Sequence, residues 1–204
     1  MASALIYHAV MKPLGWLGVG RARRRLVKDL TGPVLELGAG TGLLFEHYGP
    51  DARPVGLDRD LEGLRCARSR SSALVCADAQ ALPFRDGMFA AVVESLVLCS
   101  VPDIRQTLRE ARRVLRTDGE LRLLDHVRPE GAVLGRLADA VTPLWAKLSG
   151  GCHLNRTPAL ELAAAGFDVT WRRRSLRGLG DELRASKGKL RSEADRSPEI
   201  EGRA

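Results

Sequence analysis

The stretch "VLELGAGTG", Val34 to Gly42, narrows the folds open to this chain more than any other. A short apolar run is followed at once by Gly38, Ala39, Gly40 and Gly42, with Thr41 among them. A brief apolar run bounded by glycine reads as a strand covered on both faces. Glycine tolerates positive φ and lets a ligand approach the main chain. A covered strand ending in glycines therefore predicts a crevice at its carboxyl end. The pattern is G-x-G-x-G. A dinucleotide fingerprint needs glycine one position later, where this chain has Leu43. A pyrophosphate ligand is disfavoured on that ground.

Downstream, strand and helix signals alternate. "LLFEHY" reads as the opening of a helix after the glycines. "PVGLD" reads as a strand ending at Asp58, followed by a helix over 61–69. "ALVCAD" predicts a third strand ending at Asp78, and "MFAAVVESL" a central one. Ile104, Leu108, Ala111, Val114 and Leu115 fall at helical spacing within 103–116. "ELRLLDHV" is a further strand, with helices expected over 131–148 and 157–165. The second has Pro158 in its first turn and Gly166 at its stop. "FDVTWRRRS" alternates and reads as an edge strand. This order predicts an α/β fold: a Rossmann-like, doubly wound, mostly parallel sheet with helices on both faces. Such sheets bind ligands beyond the carboxyl ends of their strands.

The expected division is an N-terminal helical lid over 1–31, the α/β domain over 32–182 and a charged tail over 183–204. In that tail "SPEIEGRA" is the one stretch with strand character, so the residues predict either a disordered tail or an unfinished sheet. The net charge of +7 is unevenly spread. Lys12 to Lys28 holds six basic residues and no acid, and Arg172 to Arg191 holds eight against Asp181 and Glu182. Solvated surface is the plain explanation. Attraction to an anionic membrane or an acidic substrate is the sharper one. Aromatics are 4% of the chain, too few for a base-stacking stripe, so nucleic acid is not expected as a partner. No apolar run approaches the roughly 18–20 residues of a membrane span. With no signal-peptide pattern either, a cytoplasmic protein is expected, peripheral to membrane at most. Cys66, Cys76, Cys99 and Cys152 form no C-x-x-C pair. They read as reduced thiols, and no metal site is expected.

Two acids follow the glycines at strand ends. Asp58 lies 22 residues after Glu36 and can accept from both ribose hydroxyls. Asp78 can accept from an exocyclic amine such as that of adenine. Together with the missing pyrophosphate signal, they describe a nucleoside ligand without a phosphate bridge.

"VLELGAGTG", "GLDRD", "ADAQALPF", "FAAVVESLVL" and "RVLRTDGELRLLDHV", in that order, resemble the class I S-adenosylmethionine-dependent methyltransferases. "LVLCSVPD", "LLDHVRP" and "GGCHLNRTPALELAAAGF" resemble the branch of thiol S-methyltransferases, phospholipid N-methyltransferases and quinone C-methyltransferases. The resemblance implies a sheet of up to seven strands with the last reversed. It implies that Gly38, Ala39, Gly40 and Gly42 line the methionine part of S-adenosyl-L-methionine, with Glu36 near its ammonium group. It implies ribose at Asp58 and Arg59, adenine at Asp78 and Ala79, and Ser95 and Leu96 beside the methionine end. The product would be S-adenosyl-L-homocysteine. Ala90 and Asp118 depart from the usual Asp and Gly of the family, at positions expected to be structural.

The expected acceptor is small or lipophilic: a thiol first, a phospholipid amine or quinone second. His126 and His153 are the candidates for a general base. Cys152, Asn155 and Arg156 are neighbours of interest, with Cys99 and Tyr7 behind them. Arg156 suits either an anion or an anchor to the segment. Two other readings stay open: an NAD(P)-linked oxidoreductase on a related fold, and a non-catalytic cofactor-binding module.

Overall fold

The computed structural model describes residues 18–71, 73–149, 151–175 and 178–188. In chain order the elements are α1 (Val19–Val27), β1 (Gly32–Leu37), a 3₁₀ turn (Phe45–His47) and β2 (Ala52–Asp58). Next come α2 (Leu61–Ala67), β3 (Leu74–Cys76), β4 (Phe89–Ser95), α3 (Ile104–Val114) and β5 (Leu115–His126). The chain then forms α4 (Ala132–Ser149), α5 (Pro158–Ala164), β6 (Asp168–Ser175) and β7 (Gly180–Ser186). Side-chain caps set two of the helix starts. Asp60 accepts from the Glu62 N–H at 3.1 Å to open α2, and Asp103 from the Gln106 N–H at 2.9 Å to open α3.

The seven strands lie in the order β3-β2-β1-β4-β5-β7-β6. β1 pairs in parallel with both β2 and β4, so the strand order reverses there and a crevice opens at their carboxyl ends. Side chains along β1 alternate between the two faces. Leu35 and Leu37 join the cluster built on Leu108, Ala111 and Leu162 of α3 and α5. Val34 joins the opposite cluster with Ala22, Leu26 and Val27 of α1. By the same alternation Glu36 falls on the α1 side, at the end of the strand. The uniform burial of β4 from Ala91 to Glu94 follows from its having neighbours on both edges and helices on both faces. β6 lies at the sheet edge, as expected, but both of its faces are exposed over most of its length, so its alternation does not mark a buried face.

Two expectations change. "LLFEHY" does not open an α-helix; one 3₁₀ turn forms and the chain moves on to β2. Gly42 at φ +79 and the Gly49–Pro50 pair leave too few residues between them for a longer helix. The seventh strand does not come from "SPEIEGRA", which lies outside the described residues. It is "GDELRAS", it crosses the boundary drawn at residue 182, and it runs antiparallel to both β5 and β6. Its charges hid it. Asp181 and Glu182 are both about 1% exposed, and three arginines from two elements, α1 and β6, pair with them. Arg172 pairs with Asp181 at 2.7 Å, and the Arg25 Nε meets Glu182 Oε2 at 3.1 Å.

The second of these pairs ties α1 to the sheet. Buried Arg122 reinforces it by bonding Asp29 at 2.6 Å and the Leu26 carbonyl at 3.0 Å. The described part of the expected 1–31 lid is thus packed as a layer of the fold. Arg25→Ala would leave the Glu182 carboxylate buried without its partner. Chemical denaturation should show a loss on the order of 3 kcal/mol.

Candidate cofactor site

At the carboxyl ends of β1, β2 and β4 lies a cavity of about 320 Å³, within the range of small-molecule sites. Its lining includes Glu36, Gly38, Ala39, Gly40, Asp58 and Arg59 from the first two strand ends. Asp78, Ala79, Ser95 and Leu96 complete the set expected from the sequence, with one exception. Gly42 does not line the cavity. A Cβ there would press on Ala67 and Phe45, each at 3.0 Å, so this glycine serves packing.

Gly38 and Gly40 have φ of +65 and +51. A Cβ on Gly38 would overlap the Val97 side chain. Gly38→Ala should therefore lower unfolding stability by more than about 1 kcal/mol, since the left-handed conformation alone costs an L-residue that much. It should also push Val97 into the cavity and weaken cofactor binding, read by calorimetry alongside denaturation. Leu96 adopts φ +64 without being glycine. Such strain gathers at functional loops held by their surroundings. Here the Leu96 N–H is pinned to the Leu124 carbonyl at 2.7 Å.

The acids are arranged by backbone N–H groups. Asp58 Oδ2 accepts from Gly40 at 2.8 Å and Oδ1 from Asp60 at 2.8 Å. The carboxylate of Asp58 thereby clamps the glycine loop and keeps lone pairs for hydroxyl donors. Asp78 accepts from the Gln80 N–H at 2.8 Å and from its side-chain amide at 3.1 Å. Those two bonds, backbone first, hold it below the usual carboxylate range. Glu36 is 3% exposed. Burial raises it to about 8, against the Tyr48 hydroxyl that donates to it at 3.3 Å and the Arg23 charge, both of which favour its ionised form. It is a carboxylate site short of a cation.

Sequence reasoning missed three contributors. Arg23 reaches from α1 to donate to Ser95 Oγ at 3.2 Å, 72 residues away, so no local pattern announces it. Thr41 lines the cavity, and its Oγ1 is buried with no hydrogen-bond partner among the described residues. The Ser100–Pro102 stretch and Ser149 also line the cavity.

His126 and His153 are not among the cavity-lining residues. His126 Nδ1 lies 3.3 Å from Cys152 Sγ and 3.8 Å from Cys99 Sγ. The Cys99 thiol and the His126 imidazole favour the thiolate of Cys152, which titrates well below a free thiol, while Cys99 is pushed up. Both the N–H and Nδ1 of His153 meet the Cys99 carbonyl, at 2.8 and 3.2 Å. Arg156 donates to the carbonyls of Leu98 and Val101. The Gly151–Arg156 segment is thus a clamp on the Val97–Val101 loop that walls the cavity. Beneath that loop Glu94 and Asp125 are fully buried. Burial raises both, Asp125 to about 6, while Glu94 accepts from Val97 at 2.9 Å and Asp125 from Cys99 at 2.7 Å.

A mostly parallel sheet whose strand-order reversal carries a glycine cradle and successive strand-end acids is the arrangement in which α/β folds bind nucleoside-containing cofactors. Residues 35–123 match the family model described as "Methyltransferase domain", and this part of the chain is an S-adenosylmethionine-dependent methyltransferase domain. Human thiol S-methyltransferase TMT1B is 34% identical over 158 residues, 69% of this chain and 64% of that protein. A demethylmenaquinone methyltransferase of Corynebacterium urealyticum is 38% identical over 110 residues, 53% and 48% of the two chains. The chain spans about 64% of the length of the thiol methyltransferase it matches. The solved S-adenosylmethionine-dependent methyltransferase of Mesorhizobium loti superposes with a TM-score of 0.63 at 19% identity, over 81% of this chain and 95% of that one.

The family's cofactor is S-adenosyl-L-methionine. The residues present suit it. A buried carboxylate short of a cation matches its ammonium, and acids at two strand ends match ribose and adenine donors. Only a 3₁₀ turn follows the glycines, so the helix-terminus anion site that a pyrophosphate needs is not built here.

Proposed function

We propose that the chain is a methyltransferase acting on a small or lipophilic acceptor, with a thiol preferred and a phospholipid amine or quinone second. One observation carries the transfer reading: Glu36, the Gly38–Gly40 cradle, Asp58 and Asp78 converge on a single cavity. In this reading Glu36 holds the cofactor's ammonium, Asp58 the ribose hydroxyls, and Asp78 with Ala79 the adenine edge. Ser95 and Leu96 flank the methionine end, and the Val97–Pro102 wall excludes water. When bound, the cofactor supplies a methyl group on a sulfonium, open to in-line attack. The protein's task is then to place the acceptor about 3–3.5 Å from that carbon.

The thiol preference rests on two supports. Relatives named as thiol S-methyltransferases align over 69% of the chain. A thiol also asks least of the wall, since it ionises near neutral pH, whereas an amine or ring carbon needs a base. His126, the candidate base, is engaged by Cys152. A screen with labelled methyl donor against aliphatic thiols, phosphatidylethanolamine and a demethylated quinone tests this. Turnover on amine or quinone but not thiol would reverse the order of preference. No turnover on any of them, with cofactor binding intact, would favour a non-catalytic binding module. A nicotinamide-linked reading has Leu43 and the missing helix against it.

Membrane contact belongs to the same proposal. Val133, Leu134, Leu137, Val141 and Leu144 are exposed along α4. Arg136 and Lys147 sit on the same helix. No helix among the described residues is long and apolar enough to cross a membrane. Flotation with anionic vesicles at low salt should carry the protein upward, and neutral vesicles should not.

A further inference from the structure

We propose that Cys99, Cys152 and His126 form a binding site for one thiophilic divalent cation of the zinc type. The three come from the loop after β4, the clamp segment and the end of β5. Their ligand atoms, two sulfurs and Nδ1, all lie within 4.8 Å of one another. The sulfur–nitrogen separations are 3.3 and 3.8 Å. A tetrahedral zinc, with bonds of about 2.3 Å to sulfur and about 2.0–2.1 Å to nitrogen, places its ligand atoms roughly 3.5–3.8 Å apart. The observed spacing needs only small adjustments to reach that.

Each ligand's backbone is held independently of any ion. Cys99 and His126 both donate their N–H to the buried Asp125 carboxylate at 2.7 Å. The Cys152 N–H donates to Ser149 Oγ at 3.2 Å. Cys99 and Cys152 are buried, and His126 is half-buried. Two thiolates with an imidazole are a soft donor set that suits zinc over magnesium or calcium. Three protein ligands leave a fourth position for water or another donor. Binding releases to solvent every proton that the two thiols carry and the extra proton of the imidazole where it has one. An ion here would join the Gly151–Arg156 clamp to the Val97–Val101 wall, so loading would stiffen one side of the cofactor cavity. The inference stands apart from the methyl-transfer reading, because its readout is metal binding.

The test uses the full chain, reduced and stripped of metal, titrated with Zn²⁺ in competition with a chromophoric chelator. One equivalent should bind. Co²⁺ in its place should give a near-ultraviolet thiolate charge-transfer band and visible bands of tetrahedral type. Cys152→Ser and His126→Gln should weaken binding by more than the roughly 10–100-fold that changes outside the ligand set cost. Cys66→Ser combined with Cys76→Ser removes the two exposed thiols and should leave binding unchanged. The cobalt spectrum is read on the wild-type chain, so a variant that fails to fold does not decide the matter. Absence of a bound equivalent in the reduced wild type would overturn the proposal. So would an equivalent retained in folded Cys152→Ser, or a Cys99–Cys152 disulfide whose reduction yields no zinc binding.

Discussion

Titrating S-adenosyl-L-homocysteine into the Asp58→Ala chain should give no measurable heat at concentrations that saturate the wild type. The Asp58 carboxylate has two tasks. It clamps the glycine loop through Gly40 and Asp60, each at 2.8 Å. In the proposed complex it also accepts from two ribose hydroxyls. Hydrogen bonds to a charged group contribute about 1.5–3 kcal/mol each. Losing the ribose pair alone weakens binding by about 100-fold or more. Releasing Gly40 adds to this. Asp58→Asn separates the tasks, because an amide keeps one acceptor oxygen but no charge. Its affinity should fall between the two. Undiminished binding in the alanine variant would remove the nucleoside assignment of this cavity and the proposed function with it.

Glu36→Gln should raise stability at alkaline pH and weaken cofactor binding at the same time. The sign follows from where Glu36 titrates. Its folded value, about 8, lies above its ordinary 4.5 because burial disfavours the charge. The native chain therefore holds this proton more tightly than the unfolded chain. The stability it contributes is fully present below pH 4.5 and is lost as pH rises through about 8. Thermal unfolding from pH 5 to 9 should show the wild type falling more steeply than the variant across that window. Subtracting the two curves cancels the shared contributions of Glu94 and Asp125. Binding runs the other way. The cofactor's ammonium needs the carboxylate, so below pH 8 the wild type should release a proton from Glu36 on binding. Calorimetry in buffers of different ionisation enthalpy detects that proton, and the variant should not show it. Equal slopes with pH in both chains would mean that Glu36 ionises freely in the native state.

Much of the site is legible in linear order. Gly38, Gly40, Asp58 and Asp78 follow strand ends, and a parallel sheet brings all strand ends to one side. Knowing the strands was enough to know that these residues meet. The same logic failed for Gly42, which sits in the right pattern but turns toward Ala67 and Phe45. It failed again at β7. A strand is ordinarily recognised by its apolar residues, and "GDELRAS" is buried through charge pairing with arginines 9 and 157 residues away.

The fold class, the place of the crevice and the acids that line it can be read in linear order. Those follow from periodicity and from residues adjacent to strand ends, both of which are local. Three contacts emerge in the folded chain alone: Arg23 reaches Ser95, the Gly151–Arg156 segment clamps the cavity wall, and Cys99, His126 and Cys152 converge. These contacts join residues at least 26 positions apart, across turns whose geometry no short pattern encodes. A side chain's partner at that range is set by how helices and strands pack, and packing depends on the whole chain at once.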